Sequence, residues 1–372
     1  MRIFHVFKTY LPDTQGGMEE CIRQLCLHSS KHGVENTVVT VSKSITSPEE
    51  LVRPECRLIR FPETLDIAST PMSFSLFRKY RSLIQDADLI HYHFPWPFAD
   101  LMHIVCGIDK PYIVTYQSDV VKQRYLKWLY APLMRRFLGG AKAITVASPN
   151  YLKSSHDLLS YHDKCHVMPL GLDEQSYPDA TQECRDYWQN RVGEDFFLFV
   201  GVLRYYKGLH FLVRTLQGSK HHVVIAGKGP MEKELQAEAK ALGVESQITF
   251  AGFISDEDKV TLLQQCKGFV FPSHLRSEAF GISLLEAAMY ARPLISCEIG
   301  TGTTFINQHN ETGIVVPPEN PSALRKAMDA LSEDSVMASS MGAAARRRFE
   351  SGFTASGMAE ICYHIYQETL NV

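Results

Sequence analysis

Two carboxylates, Glu278 and Glu286, flank a short segment between an apolar run and a helical pattern. Residues 268–272 predict a buried strand and residues 284–291 predict a helix, so the two acids bracket a strand-to-helix turn. Carboxylate oxygens accept hydrogen bonds from sugar and ribose hydroxyls, while the N–H groups and the positive dipole end of a helix attract phosphate. This combination suits a ligand that carries sugar hydroxyls and phosphate together, such as a nucleotide sugar.

A structural explanation of Glu286 competes with this interpretation. Residues 283–286 fit a capping box, in which Glu286 would only return a hydrogen bond to the backbone of Ser283. Glu278 precedes the predicted helix and has no such capping role. The sequence leaves both interpretations of Glu286 open.

Two cations, Arg204 and Lys207, lie in the loop that follows the apolar run 196–200. A departing nucleoside diphosphate is an anion, so fixed cations would stabilise the charge that develops on it. The alternative is a pair of solvated charges at a helix start, which the helix dipole disfavours. We therefore predict that both side chains bind phosphate.

The N-terminal half contains two further groups of candidate ligand-binding residues, one of glycines and one of histidines. Gly16 and Gly17 precede the first helical pattern, where glycine lets the backbone approach a phosphate or a sugar closely. His93 ends the apolar run 89–93, and strand alternation places it on the same face as His91. One of these histidines could be a core residue, and we predict that His93 is the functional one.

The elements that position these residues are predicted from apolar runs that alternate with helical patterns, which is typical of parallel sheets covered on both faces. The first series of runs lies at residues 3–7, 37–41, 58–61, 89–93, 112–116, 143–147 and 165–170. The second series lies at residues 196–200, 222–226, 248–250, 269–271, 294–296 and 314–316. We expect an α/β fold of two doubly wound, Rossmann-like domains at residues 1–177 and 178–354, joined near Tyr177.

Composition narrows the class of protein. The 372 residues exceed what one core usually supports, and the net charge of −3 argues against a nucleic-acid partner. Nine scattered cysteines without zinc-ligand spacing and an N-terminus without a signal-peptide pattern predict a cytoplasmic protein with free thiols. No metal site is predicted, because the Asp-x-Asp spacings at 86–88 and 256–258 precede a strand or open a helix.

The segments 277–286 and 199–208 together resemble those of the retaining glycosyltransferases of family four, which have the GT-B architecture. The resemblance implies that Glu278 contacts the transferred sugar, that Glu286 holds the ribose, and that the reaction needs no metal and no cofactor. It assigns a donor site to Gly16, Gly17, Arg204, Lys207, Asp256, Phe280, Gly281, Ile282 and Glu286. It also implies that the helix at residues 355–372 crosses back to the first domain, which would leave a ligand cleft between the two sheets.

The same resemblance makes His93 a sugar-contacting residue and places Ser118 and Asp119 on the acceptor side. This chain departs from the family at two positions. Val202 stands where arginine is usual, so Arg204 would act from a shifted place, and Gln117 stands where related sequences often have histidine.

Residues 115–123, 202–213 and 298–303 are similar to bacterial mannosyltransferases of O-antigen and related polysaccharide assembly. This similarity implies GDP-mannose as the donor and an acceptor carried on a polyprenyl diphosphate at the cytoplasmic membrane face. Asp256 is explained most simply as a first-turn helix acid, but it could instead accept the two N–H donors on the edge of guanine.

Residues 120–137 contain five cations and several aromatic side chains but no acid. Such a surface suits anionic lipid headgroups, to which each nearby cation contributes about 1 kcal/mol. We expect Lys122, Arg124, Lys127 and Trp128 to contact the membrane. A solvated helix face is the alternative.

Three other functions remain open from the sequence. A UDP-sugar could be the donor, or the protein could bind a sugar nucleotide without turnover. A dinucleotide-dependent oxidoreductase would share the doubly wound units, but its glycine fingerprint is matched only approximately and late in the chain, at residues 300–305.

Overall fold

The structure, a computed structural model, describes residues 1–14, 16–119 and 124–371. For residues 124–127 it describes the backbone and not the side chains. The chain forms two compact units. One comprises Met1–Gly171 with Ala355–Val372, and the other comprises Leu172–Thr354. The division after Gly171 comes earlier than the predicted joint near Tyr177.

The first unit is built on an eight-stranded sheet with the order β10-β9-β8-β7-β1-β2-β4-β3 and a separate β5–β6 hairpin. Its strands are β1 (Arg2–Val6), β2 (Glu35–Ser42), β3 (Glu49–Val52), β4 (Arg57–Pro62), β5 (Leu65–Ile67), β6 (Thr70–Met72), β7 (Leu89–Phe94), β8 (Tyr112–Tyr116), β9 (Ala143–Val146) and β10 (Cys165–Val167). Only β3 runs antiparallel to its neighbour among the described strands of the large sheet. The predicted parallel strands are present, whereas β3 and the hairpin were not predicted.

Helices cover this sheet: α1 (Gly17–Ser29), α2 (Phe74–Leu83), α3 (Pro97–Val105), α4 (Arg124–Gly140) and α5 (Pro149–Ser154). The apolar stripe predicted for the first helix is confirmed, because Ile22, Leu25 and Cys26 are buried. Ile22 and Cys26 pack in one core cluster with Phe7. The stripe thus fixes α1 against the end of β1, where Gly16 and Gly17 open the helix.

The second unit has a six-stranded, fully parallel sheet with the order β13-β12-β11-β14-β15-β16. Its strands are β11 (Phe196–Val200), β12 (His222–Ala226), β13 (Ile248–Gly252), β14 (Gly268–Phe271), β15 (Leu294–Cys297) and β16 (Gly313–Val316). Its helices are α6 (Gln182–Val192), α7 (Leu209–Thr215), α8 (Glu232–Ala241), α9 (Asp256–Gln265), α10 (Ile282–Met289), α11 (Thr303–Ile306), α12 (Pro321–Glu333) and α13 (Ser335–Gly352). All six strands match predicted runs.

The last helix, α14 (Ala355–Leu370), belongs to the first unit and packs along α1. Its buried Tyr366 lies 2.7 Å from Nδ1 of His91 in β7. Three-residue 3-10 turns lie at Ser30–His32, Ile84–Asp86, Glu174–Ser176, Tyr205–Lys207 and Glu245–Gln247, and a longer 3-10 segment lies at His156–Lys164. Within the described part of the chain, no helix has the length and apolarity needed to span a bilayer.

Each large sheet reverses its strand order at one point, between β1 and β7 in the first unit and between β11 and β14 in the second. In doubly wound sheets, ligands bind outside the carboxyl ends of the strands at this switch point. Within each unit, the residues that follow these strands are therefore the first place to look for a site.

Candidate functional site

In the second unit, the loops after β11 and β14 touch through their backbones. The N–H of His274 donates to the carbonyl of Tyr206 at 3.0 Å. Gly208 has φ +69°, and a Cβ there would lie 2.1 Å from the carbonyl oxygen of Pro272. Only glycine fits this position, because a side chain would meet both the backbone conformation and a fixed carbonyl. This close approach brings Lys207 to the loop that carries Glu278.

Lys207 and Glu278 form an ion pair, and both side chains are largely buried. Ser273 donates a hydrogen bond to the same carboxylate at 3.2 Å. The Lys207 ammonium also lies 4.7 Å from the ring centroid of Phe271, at the end of β14. A cation and a carboxylate therefore stand side by side at the switch point of this sheet.

Arg204 lies in the same loop, and its side chain is exposed. It directly precedes the 3-10 turn that ends with Lys207. A single 3-10 turn thus separates the two cations that follow β11. Arg204 before the turn is exposed to solvent, and Lys207 at its end is buried.

The loop after β12 supports this turn through two glycines that the sequence analysis did not select. A Cβ at Gly227, where φ is +132°, would lie 2.0 Å from the carbonyl oxygen of Gly201. A Cβ at Gly229 would lie 2.5 Å from the carbonyl oxygen of Leu203. The Gly-Lys-Gly spacing directly after the apolar run 222–226 was the available sequence signal.

Glu286 does not form the capping box that the sequence allowed. Helix α10 begins at Ile282, with Gly281 at φ +102° as its N-cap, so Ser283 already lies inside the helix. The Glu286 carboxylate instead accepts a hydrogen bond from the Tyr177 hydroxyl at 2.9 Å and pairs with Lys259 at 2.8 Å. The capping interpretation is therefore wrong, because a left-handed glycine starts the helix earlier than predicted.

Lys259 in α9 joins two of the predicted donor-site residues. Its ammonium lies 2.8 Å from Glu286 and 2.9 Å from Asp256. Burial alone would lower the pKa of Lys259, but the two carboxylates outweigh burial and raise the pKa. No local pattern distinguishes this lysine from a surface lysine, since its partner Glu286 is distant in sequence. Asp256 opens α9, whose capping box is formed by Ser255 and Asp258.

The loop after β15 holds the glutamate loop in place. The N–H of Gly302 donates to the carbonyl of Ala279 at 2.8 Å, and Arg276 donates to the carbonyl of Gly300 at 3.1 Å. A Cβ at Gly302 would lie 2.5 Å from the ring of Phe280. The segment that approximates a dinucleotide fingerprint thus supports the backbone next to the first turn of α10, whose N–H groups suit an anion.

In the first unit, His93 lies at the carboxyl end of β7 in a group of three buried histidines. His5 Nδ1 lies 3.2 Å from His93 Nε2, and His91 contacts the hydroxyls of Tyr366 and Thr115 at 2.7 and 2.6 Å. Burial lowers the pKa of all three imidazoles, that of His5 to about 4. His91 is the core histidine that the sequence allowed for, because hydroxyls face both of its nitrogens.

The other predicted residues of the first unit lie at neighbouring strand ends. Gly16 is the N-cap of α1, and the acid next to it, Glu19, accepts hydrogen bonds from Thr9 and Thr14 at 2.7 and 2.8 Å. Ser118 and Asp119 follow β8. The Asp119 carboxylate accepts hydrogen bonds from Tyr116 at 3.0 Å and from Ser155 at 2.6 Å.

The predicted membrane surface is described only in part. Lys122 lies outside the described residues, as do the side chains of Arg124 and Lys127. Trp128 and Leu129 on α4 are 77% and 67% exposed. Two large apolar side chains on one turn of a helix are therefore open to solvent.

The structure thus separates the predicted residues by unit. The second unit brings Lys207 to Glu278 and Lys259 to Glu286, with Asp256 linked to the latter pair through Lys259. The first unit carries Gly16, Gly17, His93, Ser118 and Asp119. Cations that can take up phosphate charge and carboxylates that can hold hydroxyls together suit a ligand built from both groups.

The chain is similar to known proteins along most of its length. Residues 15–176 match the family described as Glycosyltransferase Family 4, and residues 181–348 match the glycosyl transferases group 1. The D-rhamnosyltransferase WbpZ of Pseudomonas aeruginosa is 50% identical over 357 residues, which cover 95% of this chain and 93% of that protein. The O-antigen chain mannosyltransferase C of Escherichia coli is 45% identical over 374 residues, covering 100% and 99%.

A solved structure has the same fold. The sucrose-phosphate synthase of Thermosynechococcus elongatus superposes with a TM-score of 0.81 at 19% identity, covering 99% of this chain and 98% of that chain. The predicted pair of Rossmann-like domains is confirmed, and the oxidoreductase alternative is wrong. The chain is an enzyme that belongs to the family-four glycosyltransferases and has the GT-B fold.

Proposed function

We propose that the protein transfers a hexose of manno configuration, namely mannose from GDP-mannose, to a saccharide carried on a polyprenyl diphosphate. The transfer retains the anomeric configuration and requires neither a metal nor a cofactor. The observation that carries this proposal is the buried Lys207–Glu278 pair at the switch point of the second sheet.

The names of the two relatives support the sugar. One relative is named for D-rhamnose transfer and the other for mannose transfer. D-rhamnose is 6-deoxymannose, so both sugars present the same hydroxyl configuration up to C4. If the two relatives and this protein have the same kind of donor site, that site would recognise the hydroxyls at C2, C3 and C4. Contacts to the C6 hydroxyl, which D-rhamnose lacks, would distinguish mannose from rhamnose.

Charge explains how the site would act on such a donor. As the bond from the sugar to the diphosphate breaks, negative charge grows on the leaving oxygens. Lys207 then exchanges part of its contact with Glu278 for the phosphate, and Arg204 closes the rim of the same loop. Glu278 keeps a hydroxyl of the sugar oriented, since Ser273 already fixes one of its oxygens.

Glu286 would hold the ribose. Its carboxylate is oriented by Tyr177 and Lys259, and carboxylates oriented in this way bind vicinal hydroxyls without a large cost of ordering. Asp256, which shares Lys259 with it, would face the guanine. The N–H groups at Phe280, Gly281 and Ile282 would receive a hydroxyl or a phosphate oxygen.

The acceptor determines where the enzyme works. A polyprenyl-linked substrate would keep the enzyme at the cytoplasmic face of the membrane, where residues 120–137 and the exposed Trp128 and Leu129 would contact anionic headgroups. His93, Ser118 and Asp119 would serve the acceptor side, and the N-terminal Gly16 and Gly17 would approach the donor.

A calorimetric screen of GDP, UDP and ADP, followed by transfer assays, tests the proposal. We expect GDP to bind most tightly and GDP-mannose to support transfer to a lipid-linked oligosaccharide faster than GDP-D-rhamnose or UDP-glucose. Tighter binding of UDP would assign a UDP-sugar instead. Nucleotide binding without transfer from any donor would leave a sugar-nucleotide binding protein and contradict the proposed activity.

A further inference from the structure

Nδ1 of His93 is buried without a hydrogen-bond partner among the described residues, in an otherwise paired group. A buried acceptor left unpaired is costly, so such atoms point to a missing ligand group. Which nitrogen of His93 carries the proton decides what that ligand group is. The hydrogen bonds that begin at Asn36 answer this question.

The side-chain amide of Asn36 has a fixed orientation. Its Nδ2 lies 2.9 Å from the backbone carbonyl of Cys26, which can only accept. Its Oδ1 therefore faces His5 Nε2 at 3.1 Å, and this nitrogen of His5 must carry a proton. His5 is fully buried, and burial lowers the pKa of His5 to about 4, so the ring is neutral near pH 7.

The neutral His5 ring then fixes His93. Because Nε2 of His5 carries the proton, its Nδ1 is a bare acceptor and faces Nε2 of His93 at 3.2 Å. Nε2 of His93 must donate to it. The remaining nitrogen of His93, Nδ1, is left as a bare acceptor that can receive a proton donor but cannot donate to a phosphate or a carbonyl.

A second unpaired group lies on the same edge of the sheet. The side-chain Nε2 of Gln117 is buried without a partner among the described residues. His93 pairs with Thr115 across β7 and β8, and Gln117 follows the last residue of β8. A hydroxyl group can donate one hydrogen and accept others, so hydroxyls suit both the unpaired acceptor and the unpaired donor.

Building on the function proposed above, we propose that the Asn36–His5 chain holds Nδ1 of His93 as the acceptor for a hydroxyl of a bound sugar. His5 and Asn36 are then positioning residues of the transfer reaction. A metal ion bound by the three histidines is the competing explanation, which the existing hydrogen bonds of His5 and His91 disfavour.

NMR of protein labelled with ¹⁵N-histidine tests the tautomer without any substrate. Two-bond ¹H–¹⁵N correlations, assigned with the His5→Phe and His93→Phe variants, should show both rings protonated at Nε2 and bare at Nδ1. The His5→Phe variant should release His93 into a mixture of tautomers. Thr115→Val removes a hydroxyl that contacts His91 and Thr145 but neither nitrogen of His93, so it should leave the tautomer of His93 unchanged. A proton on Nδ1 of wild-type His93 would overturn the proposal, as would coordination of added Zn²⁺ by these rings.

Transfer kinetics then test the positioning role. We expect His5→Phe and Asn36→Leu each to lower kcat/KM about 3- to 10-fold, as loss of one hydrogen bond would. In a His93→Phe background the same changes should have no further effect, because His5 and Asn36 act through His93. An undiminished loss in that background would show a merely structural role. If no donor supports transfer, the proposed function fails, while the tautomer measurement still decides this proposal.

Discussion

Lys207 and Glu278 neutralise each other in the interior of the second unit, one from the loop after β11 and the other from the loop after β14. Neither loop could bury its charge alone, because an uncompensated buried charge is strongly disfavoured. The ion pair therefore holds the two loops together. It also supplies a cation for a phosphate and a carboxylate for a sugar hydroxyl.

Breaking this pair on one side should destabilise the protein without substrate. We predict that Lys207→Met and Glu278→Leu each lower the free energy of unfolding by about 3 kcal/mol, because each leaves one buried charge unpaired. The double variant should lose less than the sum of the two. Urea denaturation of all four proteins measures the coupling, and strictly additive losses would show that the two charges do not interact.

Lys259 should matter for nucleotide binding although the sequence did not indicate it. We predict that Lys259→Met weakens GDP binding about 10-fold, since Glu286 loses the cation that orients it. Lys267 is the matched control, because it pairs with Asp195, which is 83% exposed. Calorimetric titration with GDP should show no change in Lys267→Met. Equal affinities of wild type and Lys259→Met would remove Glu286 and Lys259 from the nucleotide site.

Guanine recognition by Asp256 predicts a base-selective effect. Asp256→Asn replaces one acceptor oxygen with a donor, so it should weaken GDP binding and leave UDP binding nearly unchanged. Calorimetry with both nucleotides measures this. A parallel loss for GDP and UDP would assign Asp256 to the support of Lys259 instead of the base.

Asp100 in α3 predicts how stability depends on pH. This side chain is buried and accepts a hydrogen bond from Tyr130, and burial raises the pKa of Asp100 to about 8. The folded protein therefore keeps a proton that the unfolded chain loses above pH 4. The stabilising contribution of the Asp100 proton is complete below pH 4 and is lost as the pH rises to 8. The free energy of unfolding falls over this range by at most about 1.4 kcal/mol per pH unit.

We expect the difference in unfolding free energy between wild type and Asp100→Asn to fall steadily over this range. Denaturation at several pH values from 4 to 8 measures it, and taking the difference cancels the opposite contribution of the buried histidines below pH 6.5. A difference that is constant with pH would mean that Asp100 is ionised in the folded protein.

Membrane contact through residues 120–137 should need both the charges of this segment and the exposed Trp128 and Leu129 of α4. In flotation with anionic liposomes, the combined change of Lys122, Arg124 and Lys127 to glutamate should abolish binding, and Trp128→Ala should reduce it. Val336→Ala, which changes a side chain of the second unit that is 79% exposed, should bind normally. Binding that is insensitive to all these changes would make residues 120–137 a solvated segment without a membrane role.

Local patterns predicted most of the fold because fully buried parallel strands are continuous apolar runs. The strand β3 escaped prediction because its residues Leu51 and Val52 are largely exposed, so burial imposes no clear alternation. The hairpin β5–β6 escaped prediction for the same reason, because Leu65 and Ile67 are exposed.

Glu278 and Lys207 could each be predicted as site residues, because chemistry and spacing coincide within the segment that carries each of them. Contacts between distant segments could not be predicted. Lys259 reaches Glu286 from another helix, and His5 reaches His93 from the adjacent strand β1. Neither pairing leaves a pattern in the sequence. The start of α10 was misplaced because the left-handed conformation of Gly281 cannot be inferred from a serine and a glutamate that fit a cap.

The most direct test of the central claim is the single-turnover rate of hexose transfer from GDP-mannose, compared between wild type and Lys207→Met at saturating donor. The claim that Lys207 stabilises the departing diphosphate predicts a rate lower by a factor of about 100, equivalent to roughly 3 kcal/mol. A Lys207→Met enzyme that transfers mannose at nearly the wild-type rate would contradict it.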